Sequence, residues 1–197
     1  MGNLLRVAGE LRAWGTRRAK HALMENLIEL SSWDEEGNLR VVVEAPKGSQ
    51  AKLHYRPRSR TFELQRLLPG SGYPYDWGFV PGTRAEDGDP LDAMVMYDGH
   101  TFPGVVIPSV PIAILNLSEL KPGAPKPQRN DRLITVPAAQ PTPASLAELD
   151  SRTRDQLEQF FKVAGELAKK EVTILGWGDA SEARSAVEKA EAAYRAR

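Results

Sequence analysis

The chain has no cysteine. This excludes thiol nucleophiles, thiolate metal ligands and disulfides, and it suits a reducing, cytoplasmic compartment. No apolar run comes near the length of a bilayer span, so no membrane role is expected. There is no net charge either, since 26 Lys and Arg stand against 26 Asp and Glu over 197 residues. Balanced charge argues against a general nucleic-acid or membrane-surface binder, and no basic stripe interleaved with aromatics appears. No internal repeat is visible. His21, His54 and His100 show no metal-ligand spacing. What remains is a chain of ordinary hydrophobic content, long enough for one domain with a sizeable core.

A local absence says more. From Ala85 to Leu120 there is no Lys or Arg, and near the start of that stretch Asp87, Asp89 and Asp92 stand in the pattern D-G-D-P-L-D. Glu86, Asp98 and Glu119 add to the acid count. Carboxylates this close repel one another, and gathering them in a fold costs free energy unless something positive sits among them. A hard divalent cation, Mg²⁺ or Mn²⁺, is the plainest counter-charge. The plain alternative is a turn, because Asp-Gly and Pro90 both punctuate loops. Asp92 weighs against it, since it opens the apolar run Ala93 to Met96, which reads as a buried strand. A calcium EF-hand does not fit: its glycine position would be Asp92.

The preceding stretch is the opposite in sign. Lys47 to Arg66 holds Lys47, Lys52, Arg56, Arg58, Arg60 and Arg66 against Glu63 alone. Most such charges form a solvated face. A basic stretch followed by an acidic one also suits a metal–phosphate ligand, in which metals bridge carboxylates to phosphoryl oxygens and Lys or Arg hold the rest. Between the two lie Gly70, Gly72 and Pro74, then the aromatics Tyr73, Tyr75, Trp77 and Phe79, whose alternation is equally that of a packed strand.

Periodicity predicts a helical segment over 1–30, broken near Gly15, with a basic first half that reads either as a presequence or as a helix laid on the domain or a neighbouring subunit. Strands are expected over 39–45, 52–56, 61–67, 93–97, 105–117, 133–137 and 171–177. Residues 121–130 read as a surface loop. A helix is expected from Ser145 or Ser151 to Lys169, with Ser145 and Glu148 as a capping box, and a second, capped by Asp179 and Glu182, runs to about Arg195. The class is α+β.

The D-G-D-P-L-D core, preceded by Y-P-Y-D-W-G-F, resembles the soluble family I inorganic pyrophosphatases, and the likeness runs from about Val41 to Gly178. The resemblance implies a small closed five-stranded β-barrel of the oligonucleotide-binding type, with two C-terminal helices over 31–197 and the N-terminal helical extension over 1–30 outside it. It implies Mg²⁺-dependent hydrolysis of pyrophosphate to two phosphates, with Mn²⁺ as a substitute. Asp89 would be the general base. Asp87, Asp92, Glu44 and Glu119 would be metal ligands, and Lys52, Arg66, Tyr73 and Arg132 would hold substrate. A homo-oligomer, hexamer or dimer, is implied as well. Five positions depart from the family pattern: His54 for a glutamate, Trp77 for a tyrosine, Asn130 for an aspartate, and Ala164 and Gly165 for a Tyr-Lys pair. These departures leave two further readings, a relative with altered substrate range or low activity and a non-catalytic metal- or phosphate-binding module.

Overall fold

The structure, a computed structural model, describes residues 26–196. The expected helix over 1–30 lies outside the described residues except at its end, where Leu27–Glu29 form a single 3-10 turn and Leu30 is already extended. Leu27 and Ile28 pack on Tyr55 and Phe79, so this end is tied to the domain.

Among the described residues nine strands and two α-helices follow. They are β1 (Leu39–Ala45), β2 (Ala51–Arg56), β3 (Thr61–Leu67), β4 (Asp76–Val80), β5 (Leu91–Val95), β6 (Val106–Leu120), β7 (Gln128–Arg129), β8 (Arg132–Pro137), α1 (Ser151–Leu167), β9 (Glu171–Asp179) and α2 (Ala180–Arg195). β1, β4, β5, β8 and β6 bond in that order, and β6 pairs back onto β1, so five strands close a ring. Only the β5–β8 contact in this ring is parallel. β7 and β9 add to β6, and β2–β3 form a separate hairpin. Closure removes the unpaired edges that an open sheet would expose. The expected α+β class, the five strands of the closed ring and the pair of C-terminal helices are what the chain forms, while Asp76–Val80 and Gln128–Arg129 are strands beyond the seven ranges expected.

Two cores lie on either side of the sheet. One packs α1, through Leu157, Phe160 and Phe161, on Trp77, Met94, Leu115 and Ile134. The other packs α2, through Ala183, Val187 and Ala190, on Val41, Ala93, Ile114 and Leu133. Three expectations change. Residues 121–130 are not all loop, since Gln128–Arg129 pair with Ser118 and Glu119. β6 continues three residues beyond the expected Leu117, which places Glu119 inside a strand. Ser145 makes no capping bond, and the Glu148 carboxylate instead accepts from the amide of Ala144. Leu149 is extended and buried, which interrupts the helix, and Asp150 caps α1 by accepting from Thr153 N at 2.8 Å.

Two residues hold the frame tightly. Asp76 is fully buried, and its carboxylate accepts from Lys47 N, Tyr97 Oη, Thr101 N and Thr101 Oγ1, so one acid pins two loops. Gly78 lies where β4 crosses β1, and a Cβ there would sit 1.8 Å from the Val42 carbonyl oxygen. Backbone cannot yield as a flexible side chain can. Gly78→Ala is therefore expected to cost about 3 kcal/mol or more, lowering Tm by roughly 6–12 °C in a domain of this size. Thermal unfolding followed by circular dichroism measures it, and an unchanged Tm would contradict this packing.

Candidate active site

The acidic and basic stretches meet at one cavity of about 430 Å³. Ladder registers explain the convergence. Asp92 on β5 is paired directly with Arg132 on β8 and with Phe79 on β4. In β2, Lys52 and His54 share a face, as residues two apart in a strand must, and both line the cavity. Lys52 stands opposite Arg66 across the hairpin. Glu44 is the extra residue of a bulge in β1, between Val43 paired with Gly78 and Ala45 paired with Trp77. A bulge re-aims a side chain, and the Glu44 carboxylate, though buried in a run of apolar neighbours, accepts from Tyr55 N at 2.7 Å and lies 3.6 Å from His54 Nδ1.

The D-G-D-P-L-D loop is shaped by its own backbone. Gly88 takes φ +93°, a conformation few L side chains adopt. Asp89 N donates to Asp87 Oδ1 at 3.2 Å, Ala85 N donates to the Asp89 carbonyl at 2.7 Å, and Leu91 N donates to Thr83 Oγ1 at 2.9 Å. Asp87 and Asp89 thus stand at the cavity mouth, with Asp92 deeper, and all three line it.

Arg132 is the centre. Its side chain is only 7% exposed. It donates to Asp92 Oδ2, to Asn130 Oδ1 at 2.6 Å and to Glu119 Oε1 at 2.8 Å, and it lies over the rings of Trp77 and Phe161. The other Glu119 oxygen accepts from Lys170 Nζ at 2.6 Å. Burial alone would raise the Glu119 pKa, but Arg132 and Lys170 outweigh it and hold the carboxyl at about 2. Asp92 behaves differently: burial pushes it up, and Arg132 and Lys52 offset that only in part. Burial also raises Glu44, to about 7, with Asp92 and Asp89 adding to the effect. Burial lowers Lys52 and His54.

Three buried donors in this cavity have no hydrogen-bond partner among the described residues: Arg66 Nε, Trp77 Nε1 and Arg132 Nε. Buried donors left unpaired are costly and rare. Lys52 and Arg66 directly opposite each other on two strands repel. Both features call for an acceptor-rich anion. The carboxylates make the complementary demand. Asp92 and Glu44 are acids whose pKa values are raised by burial, which Arg132 and Lys52 beside Asp92 offset only in part, and their donor atoms are all oxygen, which is what Mg²⁺ or Mn²⁺ takes. Asp87, Asp92 and Glu44 therefore fit a hard cation by chemistry, while both Glu119 oxygens are spent on Arg132 and Lys170. Among the described residues no three such side chains are already gathered in ligating geometry.

Every site residue read from the sequence lines this cavity: Asp89; Asp87, Asp92, Glu44 and Glu119; Lys52, Arg66, Tyr73 and Arg132. All five departures line it as well. Asp131, one step from Asn130, turns away to accept from Leu117 N and Arg129. Asp98 does not line the cavity, and Glu86 is exposed and faces Lys189. Sequence reasoning missed Lys170, for which no spacing or motif gave a signal. It also missed the indole N–H of Trp77 as an unpaired donor.

A closed five-strand ring whose cavity sets a bank of carboxylates against a bank of cations with unpaired donors has the chemistry to take metal–phosphate groups. Comparison with known proteins agrees. The family model described as inorganic pyrophosphatase matches residues 41–195. A Nostoc protein named inorganic pyrophosphatase is 36% identical over 174 residues, 86% of this chain and 99% of that protein. One from Methanosarcina mazei is 34% identical over 158 residues, 78% of this chain and 90% of its own length. The crystal structure of the Thermus thermophilus inorganic pyrophosphatase superposes with a TM-score of 0.76 at 30% identity, covering 86% of this chain and 99% of that one. The chain belongs to the inorganic pyrophosphatase family.

The raised Glu44 pKa has a measurable consequence in metal-free protein. The folded state keeps a proton that the unfolded chain has lost, so Glu44 makes stability fall as pH rises from 4.5 to about 7. Subtracting the Tm–pH curve of Glu44→Gln from that of the wild type isolates this contribution. A difference curve flat across that window would contradict the assignment.

Proposed function

We propose that this chain hydrolyses inorganic pyrophosphate to two phosphates, with residues 31–197 as the working unit. The observation that carries this reading is the set of buried, unpartnered donors on Arg66, Trp77 and Arg132, beside the opposed Lys52 and Arg66, facing desolvated carboxylates across one cavity. Phosphoryl oxygens complete those donors, and hard cations complete those acids.

Asp87, Asp92 and Glu44 would hold the metal. A bound Mg²⁺, or Mn²⁺ in its place, supplies Lewis-acid polarisation and lowers the pKa of water. Asp89, exposed at the cavity mouth, takes the proton of the attacking water as that oxygen bonds to phosphorus. The bond from phosphorus to the bridging oxygen breaks, and the second phosphate leaves. Lys52, Arg66, Arg132 and the Trp77 N–H hold phosphoryl oxygens as charge builds on them. Tyr73, stacked on Trp77 at 5.9 Å and packed against Phe160, forms the wall behind them. Burial lowers the His54 pKa, which disfavours a positive charge beside Glu44.

Phosphate release from pyrophosphate, a nucleoside triphosphate and a phosphomonoester, each with Mg²⁺ and with chelator, tests the reading. Pyrophosphate with Mg²⁺ is expected to be the preferred combination by a wide margin. Asp89→Asn should lower kcat by about 10²–10⁴-fold while calorimetric Mg²⁺ affinity holds. Equal rates on all three substrates, or undiminished turnover in Asp89→Asn, would refute it.

Among the described residues no helix is long and apolar enough to cross a membrane, and the absence of cysteine suits the cytoplasm as the compartment. The assembly is taken to be a homo-oligomer, a hexamer or dimer, with the segment before residue 31 adding to subunit contacts. Light scattering on the full chain and on one starting at Ser31 should give a multiple of the chain mass for the first and a smaller or less stable assembly for the second. A monomer in both would end that idea.

A further inference from the structure

Lys170 enters the cavity by a local mechanism that begins at Gly165. α1 lies so close to β9 that a Cβ on Gly165 would sit 2.3 Å from Val172 Cγ2. The chain must therefore reverse at once, and it does so through a Schellman turn. Lys169 N donates to Glu166 O at 2.8 Å and Lys170 N to Gly165 O at 2.9 Å, with Lys169 in the left-handed region at φ +57°. This turn sends Lys169 to solvent and brings Lys170 into the cavity, its side chain 23% exposed, beside Ala164 and Gly165.

An ammonium carries three N–H donors. Glu119 accepts one at 2.6 Å, and Glu119 is the one hydrogen-bond partner of the Lys170 Nζ among the described residues. Lys52 and Arg66 come from the β2–β3 hairpin and Arg132 from β8, whereas Lys170 comes from the helix–strand turn. The cavity therefore receives cations from four separate parts of the fold, the fourth being the exposed Lys121 just after β6. A diphosphate carries two phosphoryl groups, and of the guanidiniums facing the cavity that of Arg132 is already bound to two carboxylates.

Building on the pyrophosphate reading above, we propose that Lys170 is a substrate-binding residue that holds one phosphoryl group of the diphosphate, with Glu119 as the positioning residue that keeps its ammonium in place. The alternative is that Lys170 only neutralises Glu119.

The test is calorimetric binding of imidodiphosphate, a non-hydrolysable diphosphate, with Mg²⁺ present, to the full chain and to Lys170→Met, Lys170→Arg and Lys169→Met, with Tm recorded for each. Losing a charge-assisted hydrogen bond should weaken Lys170→Met about 10- to 100-fold. Lys170→Arg should stay within about threefold, and Lys169→Met, altered at an exposed neighbour, should match the wild type. In the turnover assay Lys170→Met should raise KM for pyrophosphate by a similar factor. Unchanged affinity in a folded Lys170→Met, with or without a lower Tm, would make the residue a structural partner of Glu119 and overturn the proposal. A wild type that binds imidodiphosphate but does not turn over pyrophosphate would refute the hydrolytic reading and leave Lys170 to be judged on affinity. No binding by the wild type would refute both.

Discussion

The buried guanidinium of Arg132 is the interaction around which the site is organised. A charge with 7% of its side chain exposed must be paired, and here it is paired with Asp92 and Glu119 at once while Asn130 accepts a further bond. Arg132 can reach all three because the ring brings the parallel β5–β8 ladder alongside β6. The rings of Trp77 and Phe161 cover its faces, so α1 packs on the same residue that gathers the acids. Removing the guanidinium would leave two carboxylates facing each other in a desolvated pocket, and breaking such buried sets is costly.

The rest of the cavity is a balance of unmet demands. Lys52 and Arg66 are held opposite each other by hairpin register although they repel, and Asp92 and Glu44 are held desolvated although burial makes their ionisation unfavourable. On the proposed reading, a metal–diphosphate would satisfy both halves together and place its binding energy where charge develops. Irregular backbone makes this possible. The bulge at Glu44 turns an acid inward from a strand whose neighbours are core, and the register shift after Lys52 lets Arg66 face it while the strand beyond stays in phase.

The five departures from the family pattern read as losses when taken one at a time. In the fold each has a partner or a place. Asn130 presents its carbonyl to Arg132 and its amide helps hold Glu119 ionised, a pair of roles an aspartate cannot fill. Trp77 keeps one buried donor in the cavity. His54 sits against Glu44. Ala164 and Gly165 line the wall where Lys170 arrives, and Gly165 cannot accept a side chain without moving Val172. Degeneration and rearrangement thus look alike in sequence and differ in structure.

The sequence by itself determined what is local. Alternation and apolar runs placed most strands, Asp179 and Glu182 capped α2 as read, and D-G-D-P-L-D announced its acids because three carboxylates within six residues are close in any fold. Lys52, Arg66 and Arg132 were legible only through resemblance, since a charge run alone does not say which member turns inward. The tertiary structure decided everything that depends on register between distant strands: that Asp92 meets Arg132 forty positions on, that Glu119 is bound to two cations, that Asp76 pins two loops, and that Lys170 enters the site. These contacts join residues whose separation along the chain carries no periodic signal. Only ring closure and helix–strand packing bring them within hydrogen-bonding distance.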